Sequence, residues 1–253
     1  FCTGSLHGET RDPRRKVLIV PPFAEELNKS RHVLATLAAS IGDAGHDVLM
    51  PDLFGTGDSA GDFSDATLDT WRSDLDLVIE HLDARGELEL VGLRTGALLA
   101  ADVACRHRVK SLTLLHPMVD GRQQLTQMLR LRLAGGLMGE GEKETASQLR
   151  QRLADGECLE IAGYGLSGQL AAGLETLTLS KIPPVDVEQV RWIELVPQPD
   201  RSLMPVSQRL IDGWRESGVS VASAMIVCDQ FWATQEIVSC REIVEETMKY
   251  FVS

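Results

Sequence analysis

The sequence predicts an α/β protein, a mostly parallel sheet flanked by helices, and three observations carry that prediction. From Lys16 onward, short apolar runs rich in β-branched residues alternate with amphipathic helical stretches, the pattern left by parallel strands joined through crossover helices. Between about Val119 and Lys181 the alternation gives way to a stretch that reads mainly as helices. The length of 253 residues, with 43% hydrophobic and 25% charged content, suffices for one large core or two modest ones.

In order, KVLIVPP is a buried strand, and SRHVLATLAASIGDAG is a helix stopped at Gly45, whose tolerance of positive φ suits a C-cap. HDVLMPDLF is the next strand. After a glycine-rich loop, ATLDTWRSDLDLVIEHLDARG is a helix with Leu68, Trp71, Leu75, Val78, Ile79 and Leu82 on one face. ELELVGL is a strand that turns at once into the helix TGALLAADVACRH, and VKSLTLLHP is a further strand. In the interruption, QQLTQMLRLRLAGGL, ETASQLRQRLADG and LSGQLAAGLETLTL read as helices, with a GEGEKE stretch after the first and IPPVD as the exit. Alternation resumes with VRWIELVPQP, the helix SLMPVSQRLIDGWRESG, the strand VSVASAMIVCD and a last helix, EIVSCREIVEETMKYF, whose stripe includes Ile237, Val238, Ile243 and Val244. The chain therefore divides into a core first part (1–118), a helical cap inserted before the penultimate strand (119–181) and a core second part (182–253).

A formal charge of −12 argues against nucleic acid and against an anionic membrane surface as partners, since both need clustered positive charge. The basic clusters Arg11 to Lys16 and Arg130 with Arg132 are too short to reverse this. No apolar run is long enough to span a bilayer, and the N-terminal stretch carries no secretory pattern, so a cytoplasmic location is expected. Five cysteines at long spacings (Cys2, Cys105, Cys158, Cys228, Cys240) read as reduced, mostly core, thiols. No metal and no cofactor is expected.

In an open parallel sheet, chemistry sits in the loops beyond the carboxyl ends of the strands. VGLRTG, residues 91–96, has the glycine spacing and the strand, tight turn, helix context of a nucleophile elbow, with Arg94 where a serine hydrolase carries its nucleophile. That makes the expected architecture an α/β-hydrolase fold. A literal GxSxG surrounds Ser59, but it lies in a long loop rather than at a strand–helix junction, so Ser59 reads as structural; GLSG near Ser167 is no elbow either, because a cap segment rather than a core strand precedes it. A triad base belongs in the loop after the last strand, yet no histidine follows His116, and that loop reads DQFWATQEI. Two triad members are thus expected to be missing, with Asp200 as a candidate for the acid.

Other parts of a site are expected to persist. PPFAEELNKS supplies an oxyanion-hole amide from Phe23 or Ala24, and Thr95 the second. Arg94 at a helix N-terminus adds a bidentate donor for a carboxylate or phosphate. Its counter-charge is Glu25 or Glu26, Asp200, Asp229 or a ligand anion. The plainer alternative is a structural ion pair between Arg94 and Glu25 or Glu26 that binds nothing.

At PPFAEELNKSRH, DLFGTGDSAGDF, GLRTGALLA, LTQMLRLRLA and FWATQEI the sequence closely resembles the second of two bacterial families named exosortase A system-associated hydrolases. The resemblance implies an α/β-hydrolase fold, Arg94 as the family's elbow residue, and a place near exopolysaccharide production and protein sorting. Three functions follow as expectations. The first is a non-triad homologue binding a small anionic ligand or an acyl or sugar substrate at Arg94. The second is an ester or thioester hydrolase in which Glu25, Glu26 or Asp200 activates water. The third is a scaffold using Leu125, Met128, Leu129 and Leu133 of the cap toward a partner, whether an envelope-biogenesis protein or a second copy in a homodimer.

Overall fold

The computed structural model describes residues 1–6, 15–82, 88–136, 144–182, 186–234, 236 and 238–251. The expectations for Arg11, Arg14, most of GEGEKE, Pro183 to Val185 and Ile237 fall outside them.

Six strands lie where apolar runs predict them: β2 (Lys16–Val20), β3 (Asp47–Pro51), β4 (Leu88–Leu93), β5 (Ser111–Leu115), β8 (Gln189–Val196) and β9 (Val221–Val227). They pair in parallel, in a sheet of order β1-β3-β2-β4-β5-β8-β9. The seventh strand, β1 (Cys2–Ser5), runs antiparallel to β3 at the sheet edge. CTGS carries no apolar alternation and is exposed, so only the pairing partner makes it a strand.

Side chains alternate across this sheet. Val17 and Ile19 face a core shared with α1 (Ala24–Asp43) and α8 (Arg241–Met248). Leu18 and Val20 face the larger core, with α2 (Leu68–Leu82), α3 (Thr95–Ala104) and α7 (Pro205–Glu216). Gly45, just past α1, has φ 88° as its C-cap reading requires. The last helix starts at Arg241, later than the apolar stripe predicts, because residues before Cys240 belong to the loop that follows β9.

Between β5 and β8 lie α4 (Gly121–Gly136), α5 (Ala146–Ala154) and α6 (Gly168–Thr176), close to the three helices expected. A short antiparallel hairpin, β6 (Leu159–Ile161) with β7 (Tyr164–Leu166), was not expected; its strands are only three residues long and leave too little pattern to read. Leu125, Met128 and Leu129 are buried, and Leu133 packs against the same core, so these side chains are spent inside the molecule. The cysteines also depart from expectation. Cys2, Cys105 and Cys158 are exposed, while Cys228 and Cys240 form a disulfide that ties the end of β9 to the start of α8. An odd cysteine count at long spacing hides a pair that only the fold brings together.

Candidate functional site

The turn after β4 has the backbone of a nucleophile elbow. Arg94 holds φ 56°, ψ −118°, a conformation that strains any residue with a Cβ. Hydrogen bonds fix it there. Its amide donates to Leu115 O at 3.0 Å, and its carbonyl accepts from Ala97 N and Met118 N, both at 3.1 Å. The flanking glycines are required by contact: a Cβ on Gly92 would stand 2.5 Å from Ala97 Cα, and one on Gly96 would stand 2.1 Å from Val20 O. The second contact also sets the N-terminus of α3 directly against the turn that leads into α1.

The Arg94 side chain is nearly buried, 9% exposed. Nε and Nη2 both donate to Glu26 Oε1, at 3.3 and 3.0 Å, and Nη2 also donates to Gln127 Oε1 at 3.2 Å. The guanidinium carbon lies 5.0 Å from the ring centroid of Trp232. Nη1 has no protein partner among the described residues. Of the counter-charges named by sequence, the fold therefore selects Glu26, in the first turn of α1. Glu25 pairs instead with Lys29 at 3.3 Å, and Asp200 and Asp229 are exposed, with no contact to Arg94 among the described residues. Glu26 Oε2 is buried without a partner among those residues.

Sequence reasoning missed three neighbours of Arg94. Gln127 reaches it from α4. Trp232 reaches it from the loop after β9, the place where a triad base would stand. His116, just past β5, packs at a tilt against the Trp232 ring, with centroids 4.8 Å apart. His116 is buried at φ 39°, and its Nδ1 accepts a hydrogen bond from the Leu195 amide at 3.0 Å. Burial, then the positive charge of Arg94, push its pKa down from 6.5 to about 4, so the ring is neutral at neutral pH. The aromatic pair in FWATQEI was the available signal, since a buried Trp needs a partner for its face as well as its N–H.

The serines behave as structural groups. Ser59 Oγ donates to the Asp52 carbonyl in the loop after β3, and Ser167 caps α6 by accepting from Leu170 N. Phe23 and Ala24 begin α1, and Ala24 has φ 54°, an unusual value for alanine. Thr95 begins α3, and neither its amide nor that of Ala24 has an acceptor among the described residues. Two helix N-termini thus meet beside Arg94 with free donors. A cleft of about 500 Å³ opens here, lined by Arg94, Glu26, Gln127 and Trp232 together with Lys29 and Arg130.

Residues 11–153 match the family model described as serine aminopeptidase, S33. The chain belongs to that family. As a family member it shares its architecture with solved α/β-hydrolases across its whole length. It covers 100% of itself and 93% of Est1E from Butyrivibrio proteoclasticus, solved with ferulic acid bound, at 16% identity and TM-score 0.64. A carboxylesterase structure from Nitrososphaera gargenis aligns over 99% of this chain and 92% of its own at 15% identity and TM-score 0.61. The monoacylglycerol lipase of Paleococcus ferrophilus aligns over 100% and 97%, at 15% identity and TM-score 0.58. At such identities the likeness is one of fold. No curated protein matches the sequence significantly. Among the described residues, no helix is long and apolar enough to cross a membrane.

Proposed function

We propose that this member of a hydrolase family works without a Ser-His-Asp triad and binds a small anionic molecule in the cleft between its elbow and an inserted cap. The observation that carries the reading is the elbow itself: a strained backbone conformation is kept for Arg94, and Trp232, from the loop that would carry a triad histidine, lies against its guanidinium. Glu26 holds the guanidinium by two of its nitrogens, leaving Nη1 toward a ligand, with the amides of Ala24 and Thr95 as further donors. Phe23 in this reading positions the loop by stacking on Trp71 rather than by chemistry. Thermal-shift and calorimetric titration with inorganic phosphate and with glucuronate tests it. Stabilisation that weakens in Arg94→Ala is expected; no anion-dependent stabilisation refutes it. Fluorophosphonate labelling of the native protein should give no adduct, and clean labelling at one serine would overturn the argument.

One observation favours a second reading, slow hydrolysis by carboxylate-activated water. Among the described residues Glu26 Oε2 is a buried acceptor without a partner, available as a general base. Ester or thioester turnover abolished in Glu26→Gln but retained in Asp200→Asn supports it. The scaffold reading has less behind it, because Leu125, Met128 and Leu129, on which it relied, are buried and Leu133 is partly buried against the same core.

The resemblance to exosortase-associated hydrolases supports a role in bacterial exopolysaccharide or protein sorting, in the cytoplasm, with 119–181 as cap and 1–118 and 182–253 as core. Deletion in the native host, read as exopolysaccharide yield, tests the role. Co-purification from that host tests for a partner protein, and light scattering tests for a second copy.

A further inference from the structure

The cleft beside Arg94 carries enough chemistry to name the class of its ligand, and this inference rests on the binding reading above. Five ionisable side chains line it: Glu25, Glu26, Lys29, Arg94 and Arg130. Lys29 pairs with Glu25, and Arg94 pairs with Glu26. Arg130 is exposed and has no ionic partner among the described residues. The local balance is therefore one positive charge, inside a chain whose total is −12. A single negative charge brought into the cleft completes it; a second would face the carboxylates of Glu25 and Glu26 without compensation.

The rest of the wall joins two glutamines, Gln127 and Gln230, to apolar side chains. Leu131, 55% exposed on α4 beside Arg130, lines the same cleft as Ala134, Ala233 and the Trp232 ring. The volume, about 500 Å³, falls in the range of small-molecule sites. We propose that the cleft binds an amphipathic monocarboxylate, its head between Arg94 Nη1 and Arg130 and its apolar body along Leu131 and Trp232. Glu26 sets the charge selectivity: it neutralises Arg94 enough to favour a monoanion over a dianion.

Calorimetric titration of the full chain at pH 8 with octanoate, octanol and octyl phosphate separates the components. At this pH octyl phosphate carries close to two charges. Octanoate is expected to bind more tightly than either. Arg130→Ala, a surface change that leaves folding intact, should weaken octanoate by about fivefold, the scale of one exposed ion contact, and leave octanol unchanged. Glu26→Gln should shift the ratio of octyl phosphate to octanoate affinity toward the phosphate. Should that variant fold poorly, the Arg130→Ala result still decides. Octanol binding as tightly as octanoate, octyl phosphate binding more tightly to the native protein, or no change in Arg130→Ala overturns the proposal. Stabilisation by glucuronate or phosphate without octanoate binding overturns it while leaving the anion-binding reading intact; no response to any anion removes both.

Discussion

Arg94 and Glu26 form a nearly buried pair in which each charge depends on the other. Removing one partner of such a pair typically costs several kcal/mol because the remaining charge stays desolvated. Glu26 is 16% exposed on its side chain, so water relieves part of that penalty. Arg94→Ala is therefore expected to lower stability by about 3 kcal/mol in urea titration, with Arg94→Lys intermediate, because an ammonium cannot reproduce the two-nitrogen contact. His116 predicts a pH dependence. Its folded pKa, about 4, lies below the ordinary 6.5, so between those values the unfolded chain binds a proton that the folded chain does not. Its contribution is complete above pH 6.5 and is lost as pH falls toward 4, roughly 3 kcal/mol in all. Protonation would also turn Nδ1 into a donor facing the Leu195 amide. His116→Asn, which tolerates positive φ and does not titrate, should flatten the stability profile between pH 4 and 6.5 in denaturation curves.

At the scale of elements, the site exists because β4 and α3 meet without a spacer. Gly96 lets the first turn of α3 lie against the Val20 carbonyl, and Gly92 lets the strand pass under Ala97. Both obstructing groups are backbone, which cannot rotate away. Gly96→Ala should therefore destabilise by at least the 1 to 3 kcal/mol typical of overpacking. It should also weaken anion binding, because separating α3 from the turn before α1 moves the Thr95 and Ala24 amides apart. Paired denaturation and titration of that variant checks both effects. The loop after β9 is the second determinant. Its disulfide joins Cys228 to Cys240, and between them Phe231 packs edge to face on Trp232, whose ring contacts His116 and Arg94.

On the scale of the whole molecule, a seven-stranded sheet divides the apolar side chains between two cores, and the loops at its carboxyl edge gather groups far apart in sequence. Glu26, Arg94, His116, Gln127 and Trp232 come from five different segments. The serines of the chain are placed without a histidine partner among the described residues, Ser59 and Ser167 being spent on loop and cap contacts. A serine-directed probe should thus leave intact protein unmodified by mass spectrometry, even in Arg94→Ser, since Trp232 and not a base stands opposite.

Periodicity in the sequence determined the α/β class and the six parallel strands, because burial on two faces forces apolar runs and crossover helices force their spacing. The elbow was equally legible, since glycines at 92 and 96 answer a local steric demand. Only the tertiary structure decided which acid neutralises Arg94: Glu25 and Glu26 are adjacent in sequence, but they leave α1 in different directions, one toward Lys29 and one toward the elbow. It also decided the strand Cys2–Ser5, the Cys228–Cys240 pair and the packing of Trp232 on Arg94, contacts whose energy comes from partners twelve or more residues away and leaves no local pattern to read.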